Sequence, residues 1–220
     1  MQFQNRSEGG RLLARKLAAY ADRPDTTVLA LPRGGVPVGY EIGRELNLPL
    51  DVFLVRKLGV PGQEELAMGA IASGGVRILN EQVVHFIGIS AEELDRVTAE
   101  EQLELERREK LYRGGQEPLN VRGRTVIVVD DGLATGSTML AAVTALRLQD
   151  PARIIVAAPV AARQTCDSFQ MNGDSTCVCV MTPEPFDGVG RWYKDFSQTT
   201  DEEVRSLLDR AKKELHRQVA

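Results

Sequence analysis

Apolar positions in this chain fall into short blocks that alternate between the period of a helix and that of a strand. Residues 11–20 carry Leu12, Leu13 and Leu17 at helical spacing and stop before Asp22-Arg23-Pro24, which predicts a first helix. Residues 27–31 form a short, partly β-branched run that Pro32-Arg33-Gly34-Gly35 interrupts, and helical periodicity resumes over 36–46. A strand, a tight loop and a helix are therefore expected in that order. Residues 50–55 predict a second strand, and the polar stretch 56–65, with its Gly and Pro, predicts an excursion outside the core. Residues 70–72 and 76–79 flank Ser73-Gly74-Gly75 as a hairpin. Over 91–111 the chain is rich in Glu, Leu and Arg, with Glu104/Arg108 and Glu106/Lys110 placed to pair on a helix surface; a long, mostly exposed helix follows.

The second half repeats the alternation more strictly. Residues 125–129 are almost wholly β-branched, which predicts a strand buried on both faces in the middle of a parallel sheet. A loop over 130–137, a helix over 138–148, a strand over 153–158, a helix over 163–171 and a strand over 176–181 follow. The pattern predicts an α/β fold, a single Rossmann-like domain whose central parallel sheet is flanked by helices through right-handed crossovers. The tail holds an aromatic cluster, Phe186, Trp192, Tyr193 and Phe196, and then a helix over 201–219 opened by a Thr200/Glu203 capping box. No stretch reads as an interdomain linker, so residues 1–220 are expected to form one domain, with a core over 25–182 and an appendage over 183–220.

Composition narrows the class. With 43% hydrophobic and 26% charged residues the chain reads as a globular protein, and its net charge of -4 argues against a nucleic-acid partner. The longest small-and-apolar run, 154–162, is too short to span a membrane as a helix, and the polar start of the chain lacks a secretory segment, so a cytoplasmic location is expected. Cys166, Cys177 and Cys179 lack the paired spacing of a zinc site and are expected to be buried reduced thiols; no protein-held metal is expected. His85 and His216 read as surface residues.

The chemistry concentrates in Val129-Asp130-Asp131-Gly132-Leu133-Ala134-Thr135-Gly136-Ser137-Thr138, a small-residue loop between the buried strand and the next helix. Ligands of open α/β sheets sit at that edge. Two adjacent carboxylates there are costly unless satisfied, and vicinal ribose hydroxyls would satisfy Asp130 and Asp131 as donors. Gly132 and Gly136 let the backbone turn tightly, while Thr135, Ser137 and Thr138 add hydroxyls at a helix N-terminus, a chemistry suited to a phosphate monoester. The loop lacks the lysine of a P-loop, and Gly34-Gly35 with Gly39 lacks dinucleotide spacing. Helix capping by the acids and plain turn formation by Ser and Thr are the bland alternatives.

The run 126–138 resembles the phosphoribosyl-diphosphate signature of the type I phosphoribosyltransferase family. The resemblance implies that Asp130 and Asp131 bind the ribose hydroxyls and that Ala134, Thr135, Gly136, Ser137 and Thr138 hold the 5-phosphate. It gives the loop after the first core strand, Arg33, Gly34 and Gly35, a diphosphate to bind; Arg56-Lys57, read as the end of the second strand, would add positive charge beside it. Trp192, then Phe186 and Tyr193, are candidates to stack on a flat base in a C-terminal hood. Two segments are candidates for a closing loop, 59–65 and the surroundings of Arg107, Arg108, Tyr112 and Arg113. Ala134 stands where the 6-oxopurine branch of the family usually has an acid, which argues against a guanine or hypoxanthine acceptor.

The resemblance further implies a pentosyltransferase that moves ribose 5-phosphate from 5-phosphoribosyl 1-diphosphate to a nitrogenous base. Mg²⁺ would be bound mainly through the substrate diphosphate, and a homodimer is expected from the family. A regulatory protein that senses phosphoribosyl diphosphate without turnover is the alternative, and a diphosphokinase-like subunit would require ATP.

Overall fold

The computed structural model of the chain describes residues 2–171 and 175–219, with side chains to residue 215 in the last helix, so the expected surface position of His216 falls outside it. Five strands, β1 (Thr26–Ala30), β2 (Leu50–Val52), β6 (Thr125–Val129), β7 (Arg153–Val160) and β8 (Ser175–Met181), form one sheet in the order β2-β1-β6-β7-β8. Every neighbouring pair in it is parallel, with Ala30 opposite Val129 and Val129 opposite Ala157 at the ends of the three inner strands. The expected central strand is thus third of five and fully buried.

Alternate residues of β6 point to opposite layers. Ile127 and Val129 pack with α1 (Arg6–Lys16), α2 (Gly35–Leu46), α4 (Ala91–Arg113) and α7 (Asp201–Val219), through Leu13, Ile42, Leu105 and Leu208. Val126 and Val128 pack with α5 (Ser137–Arg147) and α6 (Arg163–Met171), through Met139, Val143 and Phe169. Each such side chain taken fully out of water contributes about 1.5–3 kcal/mol, which explains a strand apolar at every position after Thr125.

Two stretches differ from expectation. The first helix begins at Arg6 because Asn5 caps it, its side chain accepting from the Glu8 amide; Gly9 and Gly10 are tolerated inside it because their missing Cβ atoms leave room for Pro159 and Val38. Residues 56–65 are not a loose excursion. The chain leaves the first sheet after Val52 and builds a second, antiparallel one from β3 (Val55–Val60), β4 (Gln63–Ala72) and β5 (Val76–Leu79). Arg56 and Lys57 therefore lie within β3 rather than at the end of β2, on a hairpin whose pairing shifts register at Leu58 to Val60. The turn at Gly74 and Gly75 is as expected, both with positive φ.

Helix α3 (Glu81–Ile87) precedes α4, which opens on the Ser90/Glu93 capping box and exposes most of its surface, with Arg108 paired to Glu104 at 2.7 Å. His85 is exposed beside Glu81. Cys166 and Cys177 form a disulfide, their Cα atoms 5.6 Å apart, with the sulfur of Cys179 3.6 Å from both. This corrects the expectation of three reduced thiols: α6 lies on β8 and brings together positions whose spacing in the sequence carries no motif. Burial pushes the remaining Cys179 thiol up to about 12. Among the described residues, no helix is long and apolar enough to cross a membrane.

Candidate functional site: two loops at one sheet edge

Because the sheet is parallel, the loops after β1 and β6 leave it side by side, and the glycines of the first are packed on the acids of the second. A Cβ on Gly35 would stand 2.5 Å from the Val129 carbonyl oxygen, and one on Gly34 would collide with Asp131 Oδ2. No side chain fits at either position. The Leu31 amide donates to the Val129 carbonyl at 2.8 Å, and the Pro32–Arg33 peptide is cis.

Asp130 and Asp131 have different surroundings. Asp130 Oδ1 accepts from the Asp131 amide at 2.8 Å, and burial with the neighbouring charge of Asp131 pushes its carboxyl well above the ordinary carboxylate range. Asp131 is also raised by burial, but a guanidinium opposes the shift: Arg6 Nε lies 2.8 Å from its Oδ2. Asp131 Oδ1 takes no hydrogen bond from the described residues. The Tyr193 hydroxyl donates to the Asp131 carbonyl at 2.6 Å, and burial holds that phenol protonated.

Beyond the acids, Leu133 is anchored by donating to the Val160 carbonyl, and the chain then rises into solvent. Ala134, Thr135, Ser137 and Thr138 are at least partly exposed. Gly136 is left-handed, with φ 73°, and a Cβ there would meet Thr165 Cγ2 at 2.6 Å, so both conformation and space require glycine. Thr165 Oγ1 holds the loop from below by donating to the Ala134 carbonyl. Thr135 and Ser137 hydroxyls lie 3.1 Å apart, and the amides of Ala134, Thr135, Gly136 and Thr138 meet no acceptor among the described residues. Free amides and hydroxyls thus face outward at the start of α5, an arrangement that can hold an anion.

Other expected residues are spread around this edge. Arg33 is partly exposed, its Nη1 3.9 Å from Asp201 Oδ1, too long for a hydrogen bond; the Tyr112 hydroxyl donates to the same carboxylate oxygen at 2.6 Å. Burial and that carboxylate push Tyr112 up to about 12. Tyr112, Arg107 and Arg108 therefore belong to a helix beside the first loop and not to a loop of their own, while Arg113 is buried against Asp51. Lys57 faces Glu65 within the second sheet, at 3.4 Å, and contacts neither loop by hydrogen bond or ion pair.

A cavity of about 590 Å³ opens beside the exposed loop, lined by Ala134, Thr135, Arg163, Gln164, Phe186 and Asp187 among others. Phe186 and Trp192 both pack against Phe3, Val160 and Tyr193, but of the two Phe186 lines this cavity, and the Trp192 indole nitrogen is buried without a partner. Arg163 with Glu184, and Arg191 with Asp187, place ion pairs around its mouth. A second cavity of about 470 Å³, lined by Phe53, Ser73, Arg113 and Gln149 among others, includes none of the two loops' polar residues.

Sequence reasoning missed Arg6, Tyr193 as a partner of Asp131, and Asp201. An Asn5-x-x-Glu8 pattern could have moved the helix start to Arg6; nothing in the sequence places that arginine beside Asp131.

The site is thus an acid pair and an open amide cradle at one edge of a doubly covered parallel sheet. The family model for the phosphoribosyl transferase domain matches residues 3–182, and the chain belongs to that family. Two proteins of Mycobacterium tuberculosis, strains CDC 1551 / Oshkosh and H37Rv, provisionally named phosphoribosyl transferases, are each 43% identical over 209 residues. That match takes in 95% of this chain but 47% of theirs, so the chain spans about half the length of these curated relatives. The crystal structure of TT1426 from Thermus thermophilus is 37% identical and superposes with a TM-score of 0.81, covering 94% of this chain and 98% of that one. A Neisseria gonorrhoeae protein solved with bound ppGpp shares the fold alone, at 14% identity and a TM-score of 0.50, over 96% of this chain and 98% of its own.

Proposed function

We propose that the protein transfers ribose 5-phosphate from 5-phosphoribosyl 1-diphosphate to a nitrogenous base, releasing diphosphate. The observation that carries this reading is the meeting of the two loops, with Gly34 and Gly35 packed on residues 129–131 and the cradle at Ala134 to Thr138 left open by the protein's own groups. One sugar phosphate can then reach the cradle with its 5-phosphate, the acids with its ring hydroxyls and the Arg33 loop with its diphosphate.

In this reading Asp131 Oδ1, unbonded, and Asp130 accept from the ribose hydroxyls. Thr135, Ser137 and Thr138, with the free amides, fix the 5-phosphate at the start of α5. Arg33 and the Gly34 amide hold the diphosphate as it leaves with the electron pair of the anomeric bond, the Gly35 amide being already given to the Leu31 carbonyl, while the base nitrogen forms the new bond on the opposite face. The base occupies the cavity of about 590 Å³, with Phe186 rather than Trp192 as the ring beside it. Residues 183–200 serve as the hood, within a single functional domain over 1–220.

Metal would enter with the substrate. Mg²⁺ keeps several of its waters and is held largely through substrate phosphates, so the diphosphate would carry it into the site. Bound to the diphosphate, Mg²⁺ would neutralise the leaving group. Lys57, on the hairpin tipped by Gly62, would reach the diphosphate if that hairpin closes.

The test is a panel of purine and pyrimidine bases with phosphoribosyl diphosphate and Mg²⁺, read by diphosphate release. Release with one class of base supports the reading and names the acceptor. Calorimetric binding without release from any base supports a sensor instead.

A further inference from the structure

Arg6 is held by three different parts of the molecule. Its Nε lies 2.8 Å from Asp131 Oδ2, one terminal nitrogen donates to the Ser197 carbonyl at 2.7 Å, and the guanidinium carbon sits 3.9 Å from the centre of the Phe196 ring. Exposed ion pairs are worth little because both side chains stay mobile. Here the side chains are only 11% and 14% exposed, and removing one charge would strand the other.

The position is also unfavourable for the helix that carries it. Arg6 is the first residue of α1, where the helix dipole disfavours a cation. A residue that breaks a local rule needs a reason elsewhere. The segment before it is fastened to the tail by backbone pairing: the Phe3 amide donates to the Trp192 carbonyl, the Lys194 amide to the Phe3 carbonyl and the Asp195 amide to the Gln4 carbonyl. That pairing aims Arg6 at the sheet edge, where it occupies one carboxylate oxygen of Asp131 and leaves the other accessible.

We infer that Arg6 is a positioning residue for the ribose-binding acid, fixing the Asp131 carboxylate so that Oδ1 is presented to a sugar hydroxyl. The inference rests on the reading of Asp131 as a ribose ligand. Charged and titratable groups facing the pair are Asp130 on the same loop, Tyr193 at the Asp131 carbonyl and Asp195, whose charge interacts with Arg6. Beside these groups, Arg6 is the one side chain that lowers the Asp131 proton affinity directly.

Arg6→Gln, Arg6→Lys and Phe196→Leu separate positioning from plain fastening. In the ligand-free protein, the carboxyl-carbon NMR titration of Asp131, assigned by its loss in Asp131→Asn, is expected to move to higher pH in Arg6→Gln and to return most of the way in Arg6→Lys. Phe196→Leu loosens the same clasp without removing charge and should lower the melting temperature while leaving that titration in place. Affinity for phosphoribosyl diphosphate with Mg²⁺ should fall about 10- to 100-fold in Arg6→Gln, with the loss largest between the Asp131 titration midpoints of wild type and variant and shrinking as rising pH ionises Asp131 again. An unmoved Asp131 titration in Arg6→Gln, a loss equal at every pH, or an equal shift in Phe196→Leu overturns the inference. Wild type that binds the ligand no better than Arg6→Gln does overturns it alone; wild type that binds none overturns the functional reading as well.

Discussion

The two ends of one loop solve opposite problems. At Asp130 and Asp131 the chain places adjacent carboxylates under cover, where burial raises both and only Asp131 has a counter-charge at hydrogen-bond distance. At Ala134 to Thr138 it leaves small residues in solvent with free amides. The acid end therefore holds a destabilised arrangement, whereas water satisfies the amide end at little cost. In the proposed reading, affinity for a sugar hydroxyl is then tied to stability, and affinity for a phosphate is largely independent of it.

The largest effect should come from Asp130→Asn. It removes a buried carboxyl without a counter-charge at hydrogen-bond distance, so at pH 7 the melting temperature should rise by several degrees while affinity for phosphoribosyl diphosphate falls about 100-fold, a loss of about 2.7 kcal/mol. The sign follows from the raised carboxyl. The folded state binds the Asp130 proton more tightly than the unfolded chain, so native stability declines as pH rises through the raised value, and the advantage of the variant should vanish below the ordinary carboxylate range. Thermal melts from about pH 3 to 8 would show this, and a melting temperature lowered at pH 7 would break the comparison.

Gly136→Ala sharpens the phosphate end. Positive φ and the contact with Thr165 predict a loss of about 1–3 kcal/mol in urea unfolding, with affinity for ribose 5-phosphate reduced about 10-fold. The smallest pair of effects separates ring stacking from packing. Phe186→Ala should raise KM for the base about 10-fold with little change in melting temperature, whereas Trp192→Ala should lower the melting temperature and leave KM for the base within about 2-fold. The reverse result would return the stacking role to Trp192.

What could be read in the sequence follows the same division. Residues 126–129 announced their place because a strand covered on both faces is apolar and β-branched, and the loop after it because adjacent acids, Gly, Ser and Thr fall together at a strand-to-helix turn. The second sheet was hidden because the outer end of its first hairpin is wet on both faces: the consecutive residues Gln63, Glu64, Glu65 and Leu66 are exposed in β4, and Gly59, Pro61 and Gly62 imitate a loop. Arg6 beside Asp131, and Cys166 beside Cys177, are tertiary facts. Their pairing depends on how α1 and α6 lie on the sheet, which no local pattern encodes.

The space missing at Gly34 has a consequence for how such a protein can change. Because Asp131 Oδ2 fills the volume that any side chain at 34 would need, the half-sites proposed for diphosphate and ribose share a wall. Neither can be redesigned alone: a library that varies the first turn must vary residue 131 with it, or nearly all its members will fail for a steric reason unrelated to catalysis.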